Sequence, residues 1–174
     1  TEIRKRMESY NGDKEEAFNS EQNALVAVNA EKYYRAMVRS NSNSWNVRDE
    51  HMGETLDRLL KLHGEDAKAI VWAHNTHIGD ARATDMARAG MTNIGQIARE
   101  NYGNDNVKLV GFGSAHGTVM AGDSWGAEME TMAMPAAKDD SWEALLHDAV
   151  GKDAYIINNK IENEEFSRSI GHRA

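Results

Sequence analysis

The apolar run AIVWA at residues 69–73 breaks off into HNTHIGD, and no other stretch limits the fold as tightly. A short, continuous apolar run of this kind is the mark of a strand buried on both faces, as in a parallel sheet. VKLVGF at residues 107–112 repeats the pattern, GTVMA and METMAM predict shorter strands, and DAYIINN predicts a last one. Helices are expected between them. One lies within residues 81–89, and one is capped by Thr92, contains Ile94, Ile97 and Ala98, and stops at Gly103. The last, WEALLHDA, is capped by Ser141. Strands alternating with helices define an α/β class: a layered, mainly parallel sheet flanked by helices.

A helical N-terminal segment, residues 1–66, precedes this α/β portion, residues 67–174. Residues 1–20 are strongly polar and read as a helix followed by a loop around NGD. Val26, Ala30, Tyr33 and Met37 then recur at helical spacing, and Leu25, Val28 and Ala36 widen that face. SNSNSWN reads as a polar connection, with Asn46 as N-cap and Asp49 in the first turn of the next helix. That helix carries Met52, Leu56, Leu59 and Leu60 on one side and ends at His63-Gly64. With Pro135 the only proline, helices are seldom interrupted by that route.

Composition closes off several functions. A net charge of −8 with no dense Lys/Arg cluster argues against a nucleic-acid partner. No apolar run approaches the roughly 18 residues of a membrane span, so no membrane partner is expected. The absence of cysteine removes disulfides, thiolate metal sites and cysteine nucleophiles, and suits a cytoplasmic location. Nothing in the residues sets an oligomeric state.

Ligands of open α/β sheets bind outside the carboxyl ends of strands, which is where His74, Asn75, His77 and Asp80 fall. Imidazoles three residues apart can converge on one substrate atom. Equally, one can cap the sheet edge while the other stays exposed. The pair lacks the glutamate of a His-Glu-x-x-His zinc motif. Asp80, one turn past His77, is a candidate to orient an imidazole. In WNVRDEHM, Arg48 can hold a carboxylate or an oxyanion and His51 lies one turn further on, although residue types alone favour a solvated first turn with Arg48 and Asp49 as surface charges. The glycines of GFGSAHGTV permit close approach of main-chain amides to an anion, but the P-loop lysine is missing and an ordinary turn is the commoner meaning. His116 in that loop either enters the cleft with His77 or, as is commoner, sits on the surface. His63, His147 and His172 read as structural, and the tryptophans as core or cleft wall.

Together NAEKYYRAMVRSNSNSWNVRDEHMGETLDRLL, VWAHNTHIGDARATDM, NIGQIARENYG, VGFGSAHGTVMAGDSWG and SWEALLHDA resemble the erythromycin esterase family, which includes bacterial members named as succinoglycan-biosynthesis proteins. The resemblance implies hydrolysis of an ester, in the best-known members a macrolide lactone. It also implies a water-activating histidine and glutamates in an N-terminal half, so that this chain corresponds to the C-terminal part. The family's cleft histidines fall on His74 and His77, and its other polar motif falls on Arg48 and Asp49. Expected catalytic residues are therefore His74 and His77. His77 exchanges protons at the leaving oxygen, and His74 hydrogen-bonds the substrate or the missing base. Arg48 stabilises developing negative charge, with Asp49, His51, Asn75, Asp80 and His116 as further substrate contacts. The expected partner is a small-molecule ester and no cofactor is required. Two alternatives are a divalent metal held by His74, His77 and Asp80, and a non-catalytic accessory role in exopolysaccharide biosynthesis.

Overall fold

A computed structural model describes residues 14–39, 41–124, 126–139 and 141–157. The chain forms two compact units that divide between Val110 and Gly111.

In the first unit, helix α1 (Lys14–Arg39) packs against helix α2 (Asn41–His63). Both helices are legible in the sequence, but each departs from the expectation. On α1, Leu25, Asn29, Tyr33 and Ala36 are the better covered positions, while Val26, Val28 and Met37 are exposed. The apolar stripe is thus offset by about one residue from the seam, which buries small and polar side chains. From Asn41 on, SNSNSWN is not a connection, because α2 already runs through NSNSWN, and Ser40 lies outside the described residues. Asn46 consequently sits inside the helix and spends its side chain on other segments. The end of α2 falls at His63 as predicted, and Gly64 follows with a φ of +98°. The expectation for residues 1–20 lies mostly outside the described residues.

A short helix α3 (Asn75–Ile78), a 3-10 turn (Ala81–Ala83) and helix α4 (Ile94–Tyr102) complete this unit, with α4 touching α2, α3 and the 3-10 turn. The helix expected within residues 81–89 is replaced by that turn and a run of further turns to Gly90. Asn93 rather than Thr92 caps α4, its Oδ1 accepting from Gln96 N at 3.0 Å, and Gly103 ends it with a φ of +81°. In the second unit, strand β1 (Thr118–Ala121) pairs antiparallel with β2 (Glu130–Ala133), Thr118 opposite Ala133. Helix α5 (Trp142–Val150) follows, capped by Ser141 as expected and closed by Gly151 in the left-handed conformation.

The layered, mainly parallel sheet is therefore not present: the described residues are mostly helical and their sheet is this two-stranded hairpin. Residues 67–73 and 107–112 carry no ladder, and neither do 153–157. Ile70 is 95% exposed and Val110 62% exposed, the reverse of a strand buried on both faces. A strand exists only through hydrogen bonds to a neighbour, and an apolar run does not specify that neighbour. No helix among the described residues is long and apolar enough to cross a membrane.

Two buried glycines seat α4. A Cβ on Gly95 would lie 2.0 Å from Gly79 O and 2.4 Å from Ile78 O, main-chain atoms that cannot step aside. The three atoms nearest to a Cβ on Gly53 all belong to the Ile97 side chain, the first at 2.9 Å. Gly95→Ala is expected to cost about 1–3 kcal/mol as an overpacking change. For Gly53→Ala a similar but smaller strain is offset by the roughly 1 kcal/mol helix propensity gained. Urea unfolding of the two variants against the parent checks the order; equal midpoints would show that α4 is not wedged onto residues 78–79.

Candidate active site

Among its described residues the first unit buries few apolar side chains, Ala36, Ala81 and Ile94, and its most enclosed large groups are polar: Asp49 and Asn93. An interior of that kind needs partners for every polar atom, and the partners define the site. Trp45, Arg48 and Asp49 stand at i, i+3 and i+4 on α2 and so share one face. The Asp49 carboxylate is completely buried, 0% exposed. Its Oδ2 accepts from His77 Nδ1 at 2.8 Å, while Oδ1 makes no hydrogen bond of good geometry and faces Arg48 Nε at 3.7 Å.

His77 arrives from the other side on α3. His74 starts that helix, its Nδ1 accepting from the Thr76 N–H at 3.3 Å and lying 3.0 Å from Thr76 Oγ1. One further turn places the His77 ring flat on the Trp45 indole, centroids 4.6 Å apart and planes inclined by 4°. The Arg48 guanidinium lies over the same indole at 4.6 Å, and Arg48 Nη2 is 3.3 Å from His77 Nε2. With Asp49 ionised, both neighbours of the imidazole have fixed roles: the carboxylate can only accept and the guanidinium can only donate. The tautomer that satisfies both contacts carries its proton on Nδ1 and a lone pair on Nε2.

The surrounding turns fix this arrangement by main-chain recognition. Trp45 Nε1–H donates to Thr92 O at 2.7 Å, and Asn46 accepts from Thr92 N–H at 2.9 Å while donating to Gly90 O at 2.8 Å. Asn93 caps α4, accepts from Ala81 N–H at 3.3 Å and donates to Thr76 O at 2.8 Å. These polar contacts join α2, the His77 turn and the start of α4.

The remaining candidates are placed as follows. His51 Nδ1 pairs with Asn29 Nδ2 at 3.0 Å and ties α2 to α1. Asn75 is half-buried at the start of α3, its carbonyl accepting from Gly79 N–H. Asp80 binds Arg82 at 2.7 Å and Arg99 at 3.2 Å, so the carboxylate against His77 is that of Asp49. His116 belongs to the second unit, where its ring stands edge-on to His147 at 5.0 Å. Among the described residues no three histidine or acidic side chains gather as a metal-holding group. Trp45, Asn46 and Asn93 were not singled out for chemistry from the sequence. The spacing of Trp45 to Arg48 and Asp49 was visible in WNVRDEHM, but only a helix that already includes SNSNSWN turns that spacing into a shared face.

Such an imidazole, held by a buried carboxylate beside a cation, suits the proton transfers of a hydrolase. The family model described as erythromycin esterase matches residues 1–174, and the chain belongs to the erythromycin esterase family, which places it among esterase-like hydrolases. No solved structure matches it.

The two aspartates respond oppositely to pH. Burial pushes the Asp49 carboxyl above its ordinary range, only partly opposed by His77, Arg48 and the Ile94 main chain. A raised folded pKa means that Asp49 favours the fold most below pH 3.8 and progressively less as pH climbs through its folded value. Arg82, with Arg99 assisting, instead lowers Asp80 to about 2 from 3.8. Asp80 therefore stabilises the fold above pH 3.8 and loses that contribution as pH falls toward 2. Asp49→Asn is expected to leave the protein at least as stable at pH 7, whereas Asp80→Asn costs about 2 kcal/mol there and little near pH 2. Urea titrations of both variants across that range test the opposite signs; parallel pH profiles would refute them.

Proposed function

We propose that the protein hydrolyses a carboxylic ester or lactone, with His77 as the proton-transferring group. The observation that carries the reading is the 2.8 Å contact between fully buried Asp49 and His77 Nδ1. A carboxylate whose burial outweighs the help of its neighbours is kept at some cost to stability, and perturbed groups of that kind concentrate at functional sites.

Water adds to the ester carbonyl carbon as its proton passes to a base, and a tetrahedral oxyanion forms. The carbon–oxygen bond to the alcohol then breaks, and the leaving oxygen takes a proton. His77 Nε2 is the lone pair on which a proton can rest between these steps, and the Asp49 carboxylate stabilises the resulting imidazolium. Arg48 supplies the positive charge for the oxygen that becomes negative. Exposed His74, at the start of the same turn, is a hydrogen-bonding group for substrate, as is Asn75, whereas the Asp80 carboxylate is taken up by Arg82 and Arg99. The family's best-known chemistry makes macrolide lactones the first substrates to try.

The test is mass spectrometry of erythromycin and a panel of simple esters incubated with the full-length protein. Gain of one water by at least one substrate is expected, with His77→Ala slower by about 10²–10⁴-fold, the usual worth of a positioned acid–base group. Asp49→Asn should lose activity too, despite its undiminished stability. Turnover by His77→Ala within a few-fold of the parent would remove His77 from the chemistry.

A further inference from the structure

The contact between Arg48 and His77 raises a difficulty that the proposed reaction does not resolve by itself. His77 Nδ1 faces Asp49, so Nε2 is its only free lone pair, and that lone pair is where Arg48 Nη2 points at 3.3 Å. In this state the imidazole can neither take a proton nor reach a substrate oxygen until the guanidinium moves. The oxyanion cannot move it, because the oxyanion forms only after proton transfer has begun. Nor can a neutral ester carbonyl readily do so: it would exchange one uncharged acceptor for another. A carboxylate can, since hydrogen bonds between a guanidinium and a carboxylate are roughly twice as strong as those to neutral acceptors and form in a bidentate fork.

We propose that Arg48 is a latch on His77 that an anionic substrate opens. The substrate would carry a carboxylate near its scissile ester, Arg48 would bind that carboxylate through two of its five N–H groups while the others stay available to the developing oxyanion, and His77 Nε2 would be released for chemistry as a consequence. This rests on the reading of His77 as the proton-transferring group. The geometry suits both halves of the motion. The Arg48 side chain is 42% exposed, against 18% for His77 and 0% for Asp49, so a ligand meets it first. Its Nε makes no hydrogen bond and pairs with Asp49 Oδ1 only at 3.7 Å, longer than a hydrogen bond, and among the described residues its hydrogen-bonding contact is the long one to His77. The Trp45 indole beneath the guanidinium is a flat surface over which it can slide without losing its cation–π contact.

The experiment uses full-length protein with ¹⁵N-labelled histidine. Acetate is titrated in at constant ionic strength, so that screening does not change, and methyl acetate serves as the neutral probe. Acetate is expected to move the His77 Nε2 resonance to saturation, methyl acetate to leave it unmoved, Arg48→Gln to abolish the response and Arg48→Lys to retain part of it. An equal response in Arg48→Gln, an equal response to methyl acetate, or none to acetate overturns the latch. Hydrolysis is then compared for monomethyl and dimethyl succinate. Preference for the charged ester by about 10–100-fold in kcat/KM, lost in Arg48→Gln, is the expected worth of a hydrogen bond to a charged group. Equal turnover of the two esters overturns the selectivity while sparing the hydrolase reading. No turnover of either counts against the hydrolase reading, and the nitrogen spectra then decide the latch on their own.

Discussion

The Asp49 carboxylate is the constraint on which the first unit depends. A carboxylate with no exposed surface must be met by protons from elsewhere in the chain. His77 meets one of its oxygens, which requires the turn at residues 74–79 to lie against α2. That turn lies there because α4 presses on it through Gly95, where a methyl group would collide with the Ile78 and Gly79 carbonyls. The start of α4 is held in turn by Asn93, and the segment before it by Trp45 and Asn46. Helix capping, glycine placement and the imidazole tautomer are parts of one packing solution.

That solution takes the place of an apolar centre. In most domains of this size the deepest side chains are aliphatic or aromatic. Among the described residues of this unit the largest fully buried side chains are an asparagine and an aspartate, while Val26, Val28, Met37 and Val38 of α1 stand in the open. Dispersion and the hydrophobic effect tolerate small shifts, because they have no direction. Hydrogen bonds from ring nitrogens and amides do not tolerate them, so an interior built this way trades stability for position. The raised pKa of Asp49 is the local sign of that trade.

How much of this was legible in the sequence depends on whether the signal was local. Ser141 and Gly103 carry their cap chemistry in their own side chain or backbone, and the helix ends they predict are present. The cap of α4 was placed one residue early because Thr92 and Asn93 are both good caps and only tertiary contacts choose between them. Two motifs draw attention to Arg48, Asp49, His74 and His77, but not to the contact between Asp49 and His77. Spacing along the chain offers Asp80 to His77, while packing gives Asp80 to Arg82 and Arg99 and brings Asp49 across from α2. The parallel sheet failed for the same reason on a larger scale. Residues 69–73 have the composition of a central strand, but the adjoining strand is a property of the fold, and the described residues provide none.

Asn93 has one more consequence. Its amide accepts from Ala81 and Gln96 and donates to Thr76, using both ends of a group that is half carbonyl and half amine. Aspartate has the same outline and no donor, so it would turn an oxygen toward the Thr76 carbonyl in place of a proton. Exchanging that one nitrogen for an oxygen would thus set the His77 turn against the start of α4 with no change in side-chain size, so the junction selects the chemistry of the group and not its shape.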